Sequence, residues 1–188
     1  MLSMLRILDN PRQDIPLTAV LRSPIAGLSD EELAKLRLKD NDVRFYECVL
    51  EECGRLKQEA EENPGQERDT SEEKLYRFYA TYEKLRQLVP DTPIHELIEL
   101  LLKETGYGDY AAAMPAGDRR HANLLMLVEK AIAYENTSYK GLFHFVRYID
   151  ELQKYDVDFG EADLIGENEN VVRIMSCLLY TSPSPRDA

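Results

Sequence analysis

A chain of 188 residues with 44% hydrophobic and 31% charged side chains can bury one core without disulfide staples. Its apolar runs are too short to span a bilayer, and Arg6, Asp9 and Asn10 break the opening where an export signal would stay apolar, which points to the cytoplasm and to no membrane partner. The net charge is −12, yet residues 1–40 hold six basic and six acidic side chains, so the acidic excess lies beyond them and repels nucleic acid there.

The first elements are short. Leu2, Leu5, Ile7 and Leu8 give a helix over Leu2–Leu8 that Asp9-Asn10-Pro11 stops, because a proline disfavours helix in the residue before it. A second helix runs from about Ile15 to Arg22 with Pro16 in its first turn. Pro24 and Gly27 break the chain, and Ser29-Asp30-Glu31-Glu32 reads as a capping box that opens a third helix. From Asp42 to about Glu62 the pattern is helical again, with Val43, Tyr46, Val49, Leu50 and Leu56 on one side. After an Asn63–Glu67 turn, Ser71 is the expected cap of a helix to about Val89. Its stripe is Leu75, Phe78, Tyr79, Tyr82 and Leu85. The acid-rich run Glu51–Glu73 reads as a solvated helix face, since Lys57, Arg68 and Lys74 intersperse it.

Pro90-Asp91-Thr92-Pro93 is a boundary. Thr92 is expected to cap, and Pro93 to open, a helix through Leu97, Ile98, Leu101 and Leu102 that ends at Gly106. Gly108–Ala113 reads as irregular or weakly helical. Met114–Glu135 reads as the element around which the rest is arranged, with Leu124, Leu125, Val128, Ala131 and Ile132 on one face and Gly117 or Asp118 capping its start. Thr137 or Ser138 then caps a helix from about Lys140 to Tyr155, whose apolar face is Leu142, Phe143, Phe145, Val146, Ile149 and Leu152. Residues 156–170 form a loop by composition, and Val171–Met175 reads as a short buried strand. A single strand leaves its ladder groups unpaired, so the chain is expected to be cut from something larger.

Catalytic chemistry is hard to find. Cys48, Cys53 and Cys177 are odd in number and spaced for neither a disulfide framework nor a zinc site, so they read as reduced, unligated thiols, with Cys48 and Cys53 on different faces of their helix. His95, His121 and His144 fall on three separate helices and read as structural. Arg119-Arg120 reads as solvent-exposed and partly paired. The sequence has no Gly-x-x-x-x-Gly-Lys-Ser/Thr loop and no nucleophile elbow, so no catalytic residue, cofactor or metal is assigned to this chain.

An ordered run of segments does point somewhere. Leu5-Arg6-Ile7-Leu8-Asp9-Asn10-Pro11, Gln13-Asp14-Ile15-Pro16-Leu17 and Ala19-Val20-Leu21-Arg22-Ser23-Pro24-Ile25 resemble the A-subunit family of ATP-dependent helicase/nucleases, a branch of the UvrD-like superfamily 1 DNA helicases. Thr105-Gly106-Tyr107, Ala113-Met114-Pro115, Phe159-Gly160-Glu161-Ala162 and Val171–Ser176 continue the resemblance, which covers roughly residues 2–176.

The resemblance implies an all-α fold: a helical subdomain inserted in a RecA-like motor domain, with one orphan strand where the chain returns to the motor sheet. Residues 1–40 would start the second motor domain, 41–155 would be the inserted subdomain, and 156–176 the return. Residues 177–188 leave the family pattern and are expected to be a disordered, non-native tail. The parent would use ATP and magnesium, act on double-stranded DNA in break repair, and work with a nuclease-bearing second subunit. This segment would contribute contact and packing, not catalysis. In the family a Gly-apolar-Gly turn grips duplex backbone through main-chain N–H groups. The matching positions are Gly27-Leu28-Ser29, with Ser29 in place of the second glycine and Arg22 beside them. The rival reading is a self-standing helical adaptor that binds protein through an apolar groove.

Overall fold

Helical periodicity becomes helix throughout. The computed structural model describes residues 1–39, 42–62, 69–137 and 141–154, and these hold nine α-helices and no strand. They are α1 (Leu2–Asp9), α2 (Asp14–Arg22), α3 (Asp30–Leu38), α4 (Phe45–Glu62), α5 (Thr70–Leu88), α6 (Ile94–Thr105), α7 (Tyr107–Ala113), α8 (Gly117–Glu135) and α9 (Leu142–Lys154). The all-α expectation holds for these residues. The candidate strand Val171–Met175 and the tail 177–188 lie outside them.

The element at the centre is α1. This eight-residue helix packs against α2, α5 and α9, and its Met4, Leu5 and Ile7 are fully buried. Tyr82 of α5 donates its hydroxyl to the Ile7 carbonyl at 3.3 Å, and Arg6 pairs with Asp150 of α9. One apolar cluster runs through α1 to α6, α8 and α9, so residues on both sides of position 40 share it.

Met114–Glu135 does not hold the central place expected of it. Its helix α8 packs on α6 and α7, and it buries Val128, Ala131 and Tyr134. Leu125 and Ile132 are 50% and 44% exposed. Their face turns outward because the covered stripe is shifted toward Tyr134, whose ring meets Phe145 edge-on at 5.4 Å. Leu50 and Phe143, placed by spacing on buried faces, are likewise exposed.

Several helix starts also differ. Asp69, not Ser71, caps α5: its carboxylate accepts from the Thr70 N–H at 2.8 Å, and the Ser71 hydroxyl donates to it at 2.9 Å. Helix α4 begins at Phe45, and Asp14 of α2 takes the Tyr46 N–H at 3.1 Å. Pro93 occupies the cap position of α6, and Thr92 makes no cap bond there. Its place is filled from α8. Glu135 accepts from the Ile94 N–H and, at 3.3 Å, the His95 N–H, while its other oxygen lies 2.5 Å from His95 Nδ1. A carboxylate there satisfies orphan donors and complements the helix dipole. Gly106 ends α6 in the left-handed region as expected, but Tyr107–Ala113 is a regular helix. Ala116 (φ 57°) precedes α8, and neither Gly117 nor Asp118 caps it. Gly117 has a different duty: a Cβ on it would lie 1.8 Å from the Ala112 carbonyl oxygen, so its bareness lets α7 and α8 meet.

Candidate nucleic-acid contact turn

The Ser23–Ser29 turn joins α2 to α3 at the surface. Leu28 is buried and pins it, with its N–H donated to the Leu21 carbonyl at 2.9 Å. The Gly27 N–H donates to the Ser23 carbonyl at 2.7 Å, and Gly27 sits at φ 72° with open space around its α-carbon. That conformation favours glycine, and the open space lets another backbone come close. The capping box expected at Ser29 is complete. Ser29 Oγ accepts from the Glu32 N–H at 3.2 Å, and Glu32 Oε2 accepts from the Ser29 N–H at 2.6 Å. Hydrogen bonds from the Ser29 backbone and from Lys74 hold the Glu32 carboxyl below its ordinary range, against a smaller opposing push from burial.

Gly27, Leu28, Ser29 and Arg22 therefore meet at one place, but not as free donors. All three main-chain N–H groups already serve internal acceptors. Arg22 forks onto Asp30, Nε to Oδ1 at 2.9 Å and Nη2 to Oδ2 at 3.0 Å, and both side chains are exposed. A phosphate arriving here would meet Arg22 as its cation and would compete with Asp30 for it.

Two of the three cysteines lie among the described residues. Cys48 and Cys53 are both buried and in no disulfide, five residues apart yet both covered, because α4 packs on its neighbours along more than one face. Burial, with Glu52 and Glu83 adding to it, pushes the Cys53 thiol up to about 12. No group of three or more His, Cys, Asp or Glu side chains is placed to hold a metal among the described residues. No helix among them is long and apolar enough to cross a membrane.

One feature is hidden from periodicity. Glu52, 7% exposed, meets Lys39 Nζ and Arg55 Nη2 at 2.6 Å each, and Arg55 reaches Glu59 and Glu72 as well. Burial alone would push this carboxyl up; hydrogen bonds from Arg55 and Lys39 overcome it and hold the carboxyl below its ordinary value. The network ties α3, α4 and α5 together under the turn. The pairs Glu52/Arg55, at i, i+3, and Arg55/Glu59, at i, i+4, are visible as spacings, and the ties to Lys39 and Glu72 are not.

No protein-family model matches the chain. Individual relatives do. The A-subunit of the ATP-dependent helicase/nuclease of Lachnoclostridium phytofermentans is 44% identical across 93% of the chain. Those of Thermoanaerobacter pseudethanolicus and Anoxybacillus flavithermus are 45% and 42% identical across 93% and 94%. The chain belongs to that family, as one segment of it. It spans 13–15% of the length of these A-subunits. The helicase/nuclease resemblance carried by residues 5–25 and their successors thus extends over nearly the whole chain.

Proposed function

We propose that this chain is a segment of an ATP-dependent DNA helicase/nuclease that acts in double-strand break repair and recombination, and that it supplies duplex contact and packing. The observation that carries this reading is the 44% identity to a helicase/nuclease A-subunit across 93% of the chain. The helicase and nuclease activities, the double-stranded DNA substrate, a cytoplasmic setting and a nuclease-bearing second subunit come to it through that kinship. Within the parent, residues 1–40 would begin the helical part of the second motor domain and 41–155 would form the subdomain inserted in it. Exposed Leu125 and Ile132 suit packing inside a larger protein as well as they suit an adaptor, and the kinship favours the larger protein.

ATP and magnesium belong to the parent's motor. The residues of this chain do not fit them, since its sequence has no phosphate loop. The DNA contact is Arg22 with the Gly27-Leu28-Ser29 turn. Gly27 admits the DNA backbone, Leu28 anchors the turn, and Arg22 exchanges Asp30 for a phosphate.

Fluorescence anisotropy of a labelled duplex with the full chain, at low and moderate salt, tests the contact. Weak binding that falls steeply with salt is expected, as is a clear loss in Arg22→Glu and in Gly27→Asp. Tight, salt-insensitive binding contradicts the assignment, and unchanged affinity in Gly27→Asp removes the turn from the contact.

A further inference from the structure

Beside the Gly27 turn lies a second array of side chains, separate from the contact itself. Lys74, Arg77, Thr81 and Lys84 follow the spacing i, i+3, i+7, i+10, which lines them along one face of α5. Part of that face forms one wall of an open cleft of about 210 Å³, and Pro24–Ala26, the residues just before Gly27, form another. Three cations thus follow a helix that borders the candidate DNA-contact turn.

The acids nearby are matched at the two ends of the array. Lys74 Nζ lies 3.2 Å from Glu32 and Lys84 Nζ 3.0 Å from Glu104. Arg77, between them, is exposed and makes no ion pair among the described residues. The Thr81 hydroxyl turns back to donate to the Arg77 carbonyl at 3.1 Å, so it presents no charge and little bulk between Arg77 and Lys84. Surface pairs such as those of Lys74 and Lys84 contribute little and exchange partners readily.

We propose that Lys74, Arg77 and Lys84 form a phosphate track for the sugar–phosphate backbone of DNA, continuous with the Gly27 turn. From Lys74 to Lys84 the helix advances about 15 Å at 1.5 Å per residue, which matches about four base-pair steps measured along the duplex axis at about 3.4 Å each. Arg77 supplies the uncommitted charge. Lys74 and Lys84 join it by exchanging carboxylate for phosphate, and Pro24–Ala26 bounds the groove on the far side. The track rests on the DNA-contact reading of this chain, but it uses different residues and fails separately.

The test titrates the full chain against a fluorescein-labelled blunt duplex across a salt series. Arg77→Glu is expected to weaken binding about tenfold at low salt, and Arg77→Ala to lower the salt slope by about one. Thr81→Lys adds a fourth cation and should tighten binding several-fold, which no folding defect can mimic. Arg147→Glu on α9, an exposed residue remote in sequence from the turn, serves as the control for net charge. The track is overturned if Arg77→Glu weakens binding no more than Arg147→Glu, or if Thr81→Lys leaves affinity unchanged. A loss in Gly27→Asp without one in Arg77→Glu leaves the turn standing and removes the track; the reverse pattern keeps the track and removes the turn. If the chain binds no duplex at low salt, both fall. If oligoglutamate of equal charge displaces the duplex as well as unlabelled DNA does, the face prefers acidic peptide and the proposal is wrong.

Discussion

Removing the Glu135 carboxylate strips the start of α6 of an acceptor for two backbone N–H groups and His95 of its ring partner. Glu135→Ala should therefore lower stability by about 1–2 kcal/mol, the usual worth of a helix cap with a charged hydrogen bond. Thr92→Ala, at the position that looks like the cap in sequence, should stay within about 0.5 kcal/mol. Urea melts of the two variants decide it, and equal losses would mean that Glu135 is not the cap. Cys53 offers a second test. With its thiol raised to about 12, its folded state holds a proton that the unfolded state, at the ordinary 9.0, has already released between those values. The sign is that stability contributed by Cys53 is complete below pH 9 and is lost as pH rises toward 12, by up to about 1.4 kcal/mol per pH unit. At pH 8 the thiol therefore stays protonated in the folded chain. Iodoacetamide labelling followed by peptide mass spectrometry should find Cys53 protected in the native chain and labelled in urea. Rapid native labelling would contradict its burial.

At the scale of the element, α7 and α8 meet at a corner that tolerates no side chain at Gly117. Gly117→Ala should cost about 1–3 kcal/mol as the corner is forced apart. Gly54→Ala, inside α4 with nothing within 4 Å of the new methyl, should stabilise by about 0.5–1 kcal/mol. A thermal melt in which both shift the same way would contradict the packing at the corner. These elements show where a sequence is readable. Periodicity found nearly every helix, and local chemistry found the Ser29 capping box and the glycine at Gly27, because each depends on residues a few positions apart. Caps contributed by Asp14 to α4 and by Glu135 to α6 come from 32 and about 40 residues away, and no local pattern encodes them. The same holds for Arg22, whose partner Asp30 sits across the turn.

At the scale of the whole molecule, the hydrophobic stripes could be read but not ranked. A stripe such as Leu124–Ile132 says that one face is apolar and not which neighbour covers it, so α8 looked central while the shorter α1 holds that place. Leu5→Ala should cost about 2–5 kcal/mol, a large share of the roughly 5–15 kcal/mol that holds a domain together. Leu125→Ala, by contrast, should change stability by less than about 0.5 kcal/mol. Chemical denaturation of both variants separates the two rankings, and a larger loss at Leu125 would restore α8 to the centre.

The Arg6–Asp150 tie joins side chains 144 positions apart, and with it α9 closes over α1. During synthesis at about 5–20 residues per second, that separation is a wait of about 7–30 s. Through that interval Met4, Leu5 and Ile7 have left the ribosome while one wall of their enclosure is still untranslated. Of the nine helices described, α1 is translated before the others and yet awaits α9 for its closure, so its apolar face stays open to chaperones, or to other nascent chains, until α9 is made.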